Sequence, residues 1–287
     1  MDPATSHVNV ALSDEGQELF DLFRRPQGRS RPRPDERTAM ESARRGRLSV
    51  DGKAVTTYAW GDGERPVLLV HGWESRASRY AKVIARLLEL GYSPVAFDAP
   101  GHGESEGDST TLVEYREIIG ELHATHGAFE MIVAHSFGAT ASFLALREGV
   151  RATRVVAVSP VPDFTYVVDA FCARTGMSPE LRAELRLRVE RDLYPGQADL
   201  WTRFSVLHRA AEVRLPLLLV HDEDDEAVDP EQTRRIAAAF GERARVLTTR
   251  RFGHRRILGA PQLVAAVADF VTADGAEIGH PVQEVAR

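Results

Sequence analysis

The sequence contains one cysteine, Cys172, among 287 residues, so no disulfide can form within the chain and a reducing, cytoplasmic setting is expected. No motif surrounds Cys172, which reads as a small apolar packing residue. No apolar run approaches the roughly 18 residues of a membrane helix. The first ten residues, MDPATSHVNV, lack a basic stretch followed by an apolar one, so no secretory signal is expected. Internal repeats are absent. Lysine is scarce: Lys53 and Lys82 are two of 36 basic residues, an arginine bias that reads as genome composition. Positive charge is not in excess either. The net charge is -6, and residues 24–47 carry nine arginines against Asp35, Glu36 and Glu41, which leaves the remainder at -12. An acidic body argues against nucleic acid as a partner, because such a surface needs clustered cations to displace counterions. The basic stretch RRPQGRSRPRPDER reads as a solvated linker or arm.

What is present is enough apolar material, 43% of residues, for one sizeable core, as one large domain or one domain with an insertion. Short β-rich runs alternate with amphipathic helical segments, the pattern of a parallel sheet with crossover helices. Strands are predicted at 47–50, 54–60, 67–70, 95–98, 131–135, 154–159, 217–221 and 245–248. Several (VLLV, MIVA, VVAV, LLLV) are apolar on both faces, as strands covered on each side should be. Helical periodicity marks Tyr80–Leu88, Tyr115–Leu122, Phe143–Leu146, Ile236–Phe240 and Leu263–Phe270. The interval Pro160–Arg214 is too long for an ordinary connection. Inside it, Ser178-Pro179 is a helix start, and Leu181, Leu185, Val189 and Leu193 recur every four residues. A small helical insertion follows, rich in aromatics (Phe164, Tyr166, Phe171, Tyr194, Trp201, Phe204).

Ala134-His135-Ser136-Phe137-Gly138 follows a buried strand and opens a helix. A serine at such a turn stands clear of the sheet, and small residues two positions to either side let the helix approach neighbouring strands. Alanine occupies the first position, where the usual pattern has glycine. Taken with four further blocks in order, the chain resembles the α/β-hydrolase superfamily over roughly residues 48–272. These blocks are His71-Gly72-Trp73, the loop Asp98–Ser105 (DAPGHGES), His221–Asp229 (HDEDDEAVD) and Phe252-Gly253-His254.

The resemblance implies an α/β fold with a mostly parallel central sheet, helices on both faces and an inserted helical cap. It divides the chain into an N-terminal arm (1–47), a core (48–160 and 214–272), the cap (161–213) and a polar tail (273–287). It implies Ser136 as nucleophile, His254 as general base and Asp225 as the acid, with the backbone N–H groups of Trp73 and Phe137 as the oxyanion hole. Asp222 and Asp229 stand where the family has Gly and Pro, and Asp224 and Asp163 remain alternative acids. His102 belongs to a structural loop and His71 orients its own. The acidic run is no calcium loop, since Ala227 and Thr233 fall where an EF-hand needs Gly and Glu. His123 and His126 lack a third ligand for a metal. No cofactor and no metal are expected.

A serine nucleophile argues against the family's aspartate-based dehalogenases and epoxide hydrolases and its cysteine-based dienelactone hydrolases. The expected activity is hydrolysis of a small, mainly apolar carboxylic ester or thioester. The alternatives are a C–C bond hydrolase or cofactor-free perhydrolase with the same triad, and a non-catalytic ligand-binding or signalling member. The expected partner is a small ester-like molecule; the sequence leaves oligomeric state open.

Overall fold

The eight strands follow from the apolar runs. They are β1 (Arg44–Val50), β2 (Lys53–Ala59), β3 (Pro66–Val70), β4 (Ser93–Phe97), β5 (Met131–His135), β6 (Val155–Val158), β7 (Leu217–Asp222) and β8 (Ala244–Thr249). The computed structural model describes residues 12–273; the readings made for the first ten residues and for the tail beyond Ala273 lie outside the described residues. One sheet runs β1-β2-β4-β3-β5-β6-β7-β8. β1–β2 and β2–β4 are antiparallel, and every other pair is parallel. β3, β4, β5, β6 and β7 are buried along their whole length, because helices cover both faces and no side chain of either parity reaches water.

The helices are α1 (Asp14–Arg24), α2 (Arg37–Glu41), α3 (Ala81–Glu89), α4 (Leu112–His126), α5 (Phe137–Arg147), α6 (Phe164–Thr175), α7 (Pro179–Arg188), α8 (Leu200–Arg203), α9 (Pro230–Phe240), α10 (Gly253–Arg256) and α11 (Pro261–Thr272). Alternate strand residues feed two cores. Leu68, Val70, Ile132 and Ala134 pack with α4, α5 and α9, while Val67, Leu69, Met131 and Val133 pack with α3 and α11. Every connection except that between β6 and β7 follows the predicted rhythm. That interval holds α6, α7 and α8, and α7 runs on into a π-helical turn at Val189–Leu193. Among the described residues no helix is long and apolar enough to cross a membrane.

Two features depart from the sequence expectation. β1 begins at Arg44, so Arg44 and Arg45 belong to a hairpin and not to an arm. The Asp51-Gly52 turn explains it: both residues have positive φ (48° and 73°), as the two-residue turn that matches strand twist requires. The rest of the basic stretch is largely exposed, but it is tied to the core. The Arg29 guanidinium donates to the carbonyls of His102, Gly103, Ser105 and Gly107, and buried Glu36 accepts from Ser78 Oγ at 2.6 Å and Arg79 at 2.5 Å.

Candidate active site

Ser136 sits where β5 passes into α5, with φ 53° and ψ -121°. This is a strained conformation for a non-glycine residue, costing on the order of 1–3 kcal/mol that the surroundings must hold. They do so through the backbone: Ser136 N–H donates to Val158 O at 2.9 Å, and Ser136 O accepts from Ala139 N–H at 3.0 Å. Gly138 makes the approach of α5 possible, since a Cβ there would overlap the His71 carbonyl and come within 2.8 Å of Val70 O. Ala134 lies in strand register between Val70 and Ala157. A methyl group fits there, so the absent glycine costs nothing in geometry.

His254 follows β8 on the short helix α10. Its Nε2 lies 3.0 Å from Ser136 Oγ and its Nδ1 2.8 Å from Asp225 Oδ2. Asp225 Oδ1 accepts from the amides of Ala227 and Val228, each at 2.9 Å. Burial would raise the Asp225 pKa, but hydrogen bonds from His221 and His254 outweigh it and hold the carboxyl well below the usual range. An ionised carboxylate only accepts. Nδ1 of His254 therefore carries the proton, and Nε2 presents its lone pair to the serine hydroxyl.

The other candidate acids are engaged elsewhere. Asp224 Oδ2 accepts from Arg251 N–H at 2.7 Å. Asp163 caps α6 by accepting from Tyr166 N–H at 2.8 Å. Asp222, which replaces a family glycine, has a structural job: its buried carboxylate accepts from Thr249 Oγ1 (2.7 Å) and from the amides of Asp224, Phe252 and Gly253 (3.1, 3.2 and 2.9 Å). It thus fastens the loop bearing Asp225 to the loop bearing His254. Asp229 caps α9 by accepting from Glu231 N–H.

Phe137 is the first residue of α5, where amides have no acceptor within the helix. Trp73 follows Gly72 on the opposite side of Ser136; a Cβ at Gly72 would come 2.9 Å from Ser136 Cβ. The Trp73 and Phe137 rings meet edge to face at 5.7 Å. Both residues line the same cavity of about 880 Å³ as Ser136 and His254. Its wall is mainly apolar, with Phe23, Val161, Phe164, Val167, Phe171 and Leu193.

His71, His102 and His135 are buried beside the site, and burial lowers the pKa of each. His71 Nε2 accepts from Ala99 N–H at 2.9 Å. His102 Nε2 accepts from Glu74 N–H at 3.0 Å, and burial pushes its pKa down to about 3. His135 donates from Nε2 to the His254 carbonyl at 2.8 Å, and its Nδ1 finds no hydrogen-bond partner among the described residues. Burial and the neighbouring His254 keep His135 uncharged. Sequence reasoning gave His221 no role. Its Nε2 lies 3.3 Å from Asp225 Oδ2 and its Nδ1 2.5 Å from Thr233 Oγ1; its position four residues before Asp225 was the available signal. Among the described residues no group of three or more His, Cys, Asp or Glu could hold a metal ion.

A family model described as the alpha/beta hydrolase family matches residues 67–267. A non-heme chloroperoxidase of Streptomyces lividans is 29% identical over 125 residues, 39% of this chain and 43% of that protein. The chain thus spans under half the length of the curated relatives it matches. Two solved structures share the fold. An esterase of Pyrococcus furiosus has TM-score 0.61 at 20% identity, covering 86% of this chain and 97% of that one. A monoacylglycerol lipase of Paleococcus ferrophilus has TM-score 0.57 at 24% identity, covering 76% and 98%.

Proposed function

The chain belongs to the alpha/beta hydrolase family, and we propose that it cleaves a small, mainly apolar carboxylic ester or thioester through an acyl-enzyme at Ser136. The observation that carries this reading is the hydrogen-bonded series Ser136 Oγ, His254 Nε2, His254 Nδ1, Asp225 Oδ2 at the wall of an apolar cavity.

A serine hydroxyl is a poor nucleophile at neutral pH and needs a base as it attacks. His254 Nε2 takes the proton while Oγ bonds to the acyl carbon, and Asp225 stabilises the imidazolium and fixes its tautomer. The developing oxyanion is received by the N–H groups of Trp73 and Phe137, each worth about 3 kcal/mol in comparable sites. The bond to the alcohol or thiol then breaks, and that group leaves with the proton from His254. Water, deprotonated by the same nitrogen, releases the acid and restores Ser136. Esterase and lipase among the structural neighbours support the ester class.

A second reading is favoured by the names of the curated relatives, non-heme haloperoxidase and chloroperoxidase. In it hydrogen peroxide replaces water in the second step and the product is a peracid, with no cofactor. Hydrolysis of p-nitrophenyl acetate and butyrate tests the first reading, and peracid formation from acetate and peroxide tests the second. Ser136→Ala is expected to reduce either rate by about 10⁴-fold or more, and a fluorophosphonate is expected to label Ser136. Unaltered hydrolysis by Ser136→Ala would remove Ser136 from the reaction.

A further inference from the structure

The family match begins at residue 67, yet part of the cavity wall comes from well before it. Leu22, Phe23, Arg24, Arg25 and Gln27 all line the space that contains Ser136. Phe23 is buried, with its ring edge-on to Phe171 at 5.1 Å and to Phe164 at 6.0 Å. An exposed arm would not bury a phenyl ring against two others.

The contact is built at both ends. Glu184 and Arg188, successive turns of α7, are 3% and 5% exposed. Glu184 accepts from Ser13 N–H (2.8 Å), Ser13 Oγ (2.7 Å) and Arg188 Nε (2.9 Å). Arg188 in turn donates to Ser13 O at 3.1 Å and to Gln17 Oε1. A carboxylate and a guanidinium are buried at this cost only when their remaining lone pairs and protons are satisfied, and here residues of α1 and its cap satisfy them. At the other end Gln27 N–H donates to Glu74 Oε1 at 2.9 Å, and Glu74 Oε2 accepts from Arg255 at 2.8 Å. Glu74 and Arg255 adjoin Trp73 and His254. The segment therefore crosses from α7 to the edge of the catalytic centre.

We propose that α1 is the acyl-selecting wall of the cavity, clamped in place by Glu184 and Arg188, and that Phe23 sets the length of acyl chain it accepts. The inference rests on the ester-hydrolase reading for the nature of the occupant. Each methylene accommodated against apolar wall is worth about a four-fold gain, so removing a ring from that wall changes the order of preference among straight chains and not just the overall rate.

The test pairs two measurements across Phe23→Ala and the milder Leu22→Trp, whose site is 40% exposed. The first is kcat/KM for p-nitrophenyl esters from acetate to dodecanoate. The second is the Kd of butanoic to dodecanoic acids for proteins that also carry Ser136→Ala, which needs no turnover. Phe23→Ala is expected to move the preferred length at least two carbons longer in both series, and Leu22→Trp to move it shorter. If Phe23→Ala fails to fold, Leu22→Trp decides alone. An unchanged order of preference in the folded variants overturns the proposal, as does failure of every fatty acid to bind. A wild type inactive on all esters, with the Kd order shifted as expected, sinks the ester-hydrolase reading and leaves the wall standing.

Discussion

At the scale of single residues, the carboxylates around His254 differ in what they hold. Asp225 contacts the imidazole, and Asp224 holds a loop amide. Asp225→Asn is therefore expected to lower kcat for p-nitrophenyl butyrate by about 10⁴-fold, since an amide can present its NH₂ to Nδ1 and favour the wrong tautomer. Asp224→Asn should cost less than ten-fold. Comparable losses from the two would mean that Asp225 does not act as the acid. Asp222→Gly, which restores the family residue, removes the acceptor of four donors. Charged hydrogen bonds of this kind contribute about 1.5–3 kcal/mol each before partial rescue by water. The variant is expected to lose about 3 kcal/mol, read from the urea midpoint at unchanged slope. The family pattern marked Asp222 only as a departure; three of its four partners come from 27 to 31 residues away, so no local reading could assign them.

Whole elements show a different balance of local and distant causes. α7 was legible because cap and periodicity agree within one segment, Ser178 accepting from Leu181 N–H ahead of the apolar repeat. α1 carried such signals too: Ser13 caps Gly16 N–H, Asp14 and Glu15 open the helix and Arg24 closes it. The stretch that follows it, rich in proline and arginine, suggested an arm instead. Gly16 shows why the tertiary contact matters. Alanine would raise helix propensity by about 1 kcal/mol, but its Cβ would overlap the Glu184 carboxylate. Gly16→Ala is expected to destabilise the protein by about 1–3 kcal/mol, as overpacked sites do. A higher melting temperature would show that α1 does not dock on Glu184. Arg29, with its four carbonyl partners, anchors the following stretch, and Arg29→Ala should speed tryptic cleavage between residues 24 and 37 several-fold.

Over the whole molecule, pH acts through groups that folding has placed out of water. His71, His102 and His135 are buried with lowered pKa values. Between the unfolded value near 6.5 and the folded value, the unfolded chain binds protons that the native state refuses, so stability falls as pH drops below about 6.5. For His102, with its folded pKa of about 3, the loss at pH 5 is about 2 kcal/mol. Carboxylates with lowered values, Glu36, Glu184, Asp222 and Asp225, add a second loss only below about pH 4, where the unfolded chain protonates first. Chemical denaturation at pH 7, 6, 5 and 4 is expected to show the first decline already by pH 5, and His102→Gln should flatten it. A stability constant from pH 7 to 5 would contradict neutral burial of these histidines.

The fold class, the order of the eight strands along the chain and the choice of Ser136 and His254 as candidate nucleophile and base were legible in the sequence alone, because each rests on local patterning: apolar runs, small residues around Ser136, and short blocks in a fixed order. The tertiary structure decided which carboxylate meets His254, what Asp222 and His221 support, and that the N-terminal segment is a wall of the cavity. Those depend on contacts across the fold, such as that between Ser13 and Glu184, 171 positions apart, where chemistry is set by what packing brings within 3 Å rather than by what stands next in the chain.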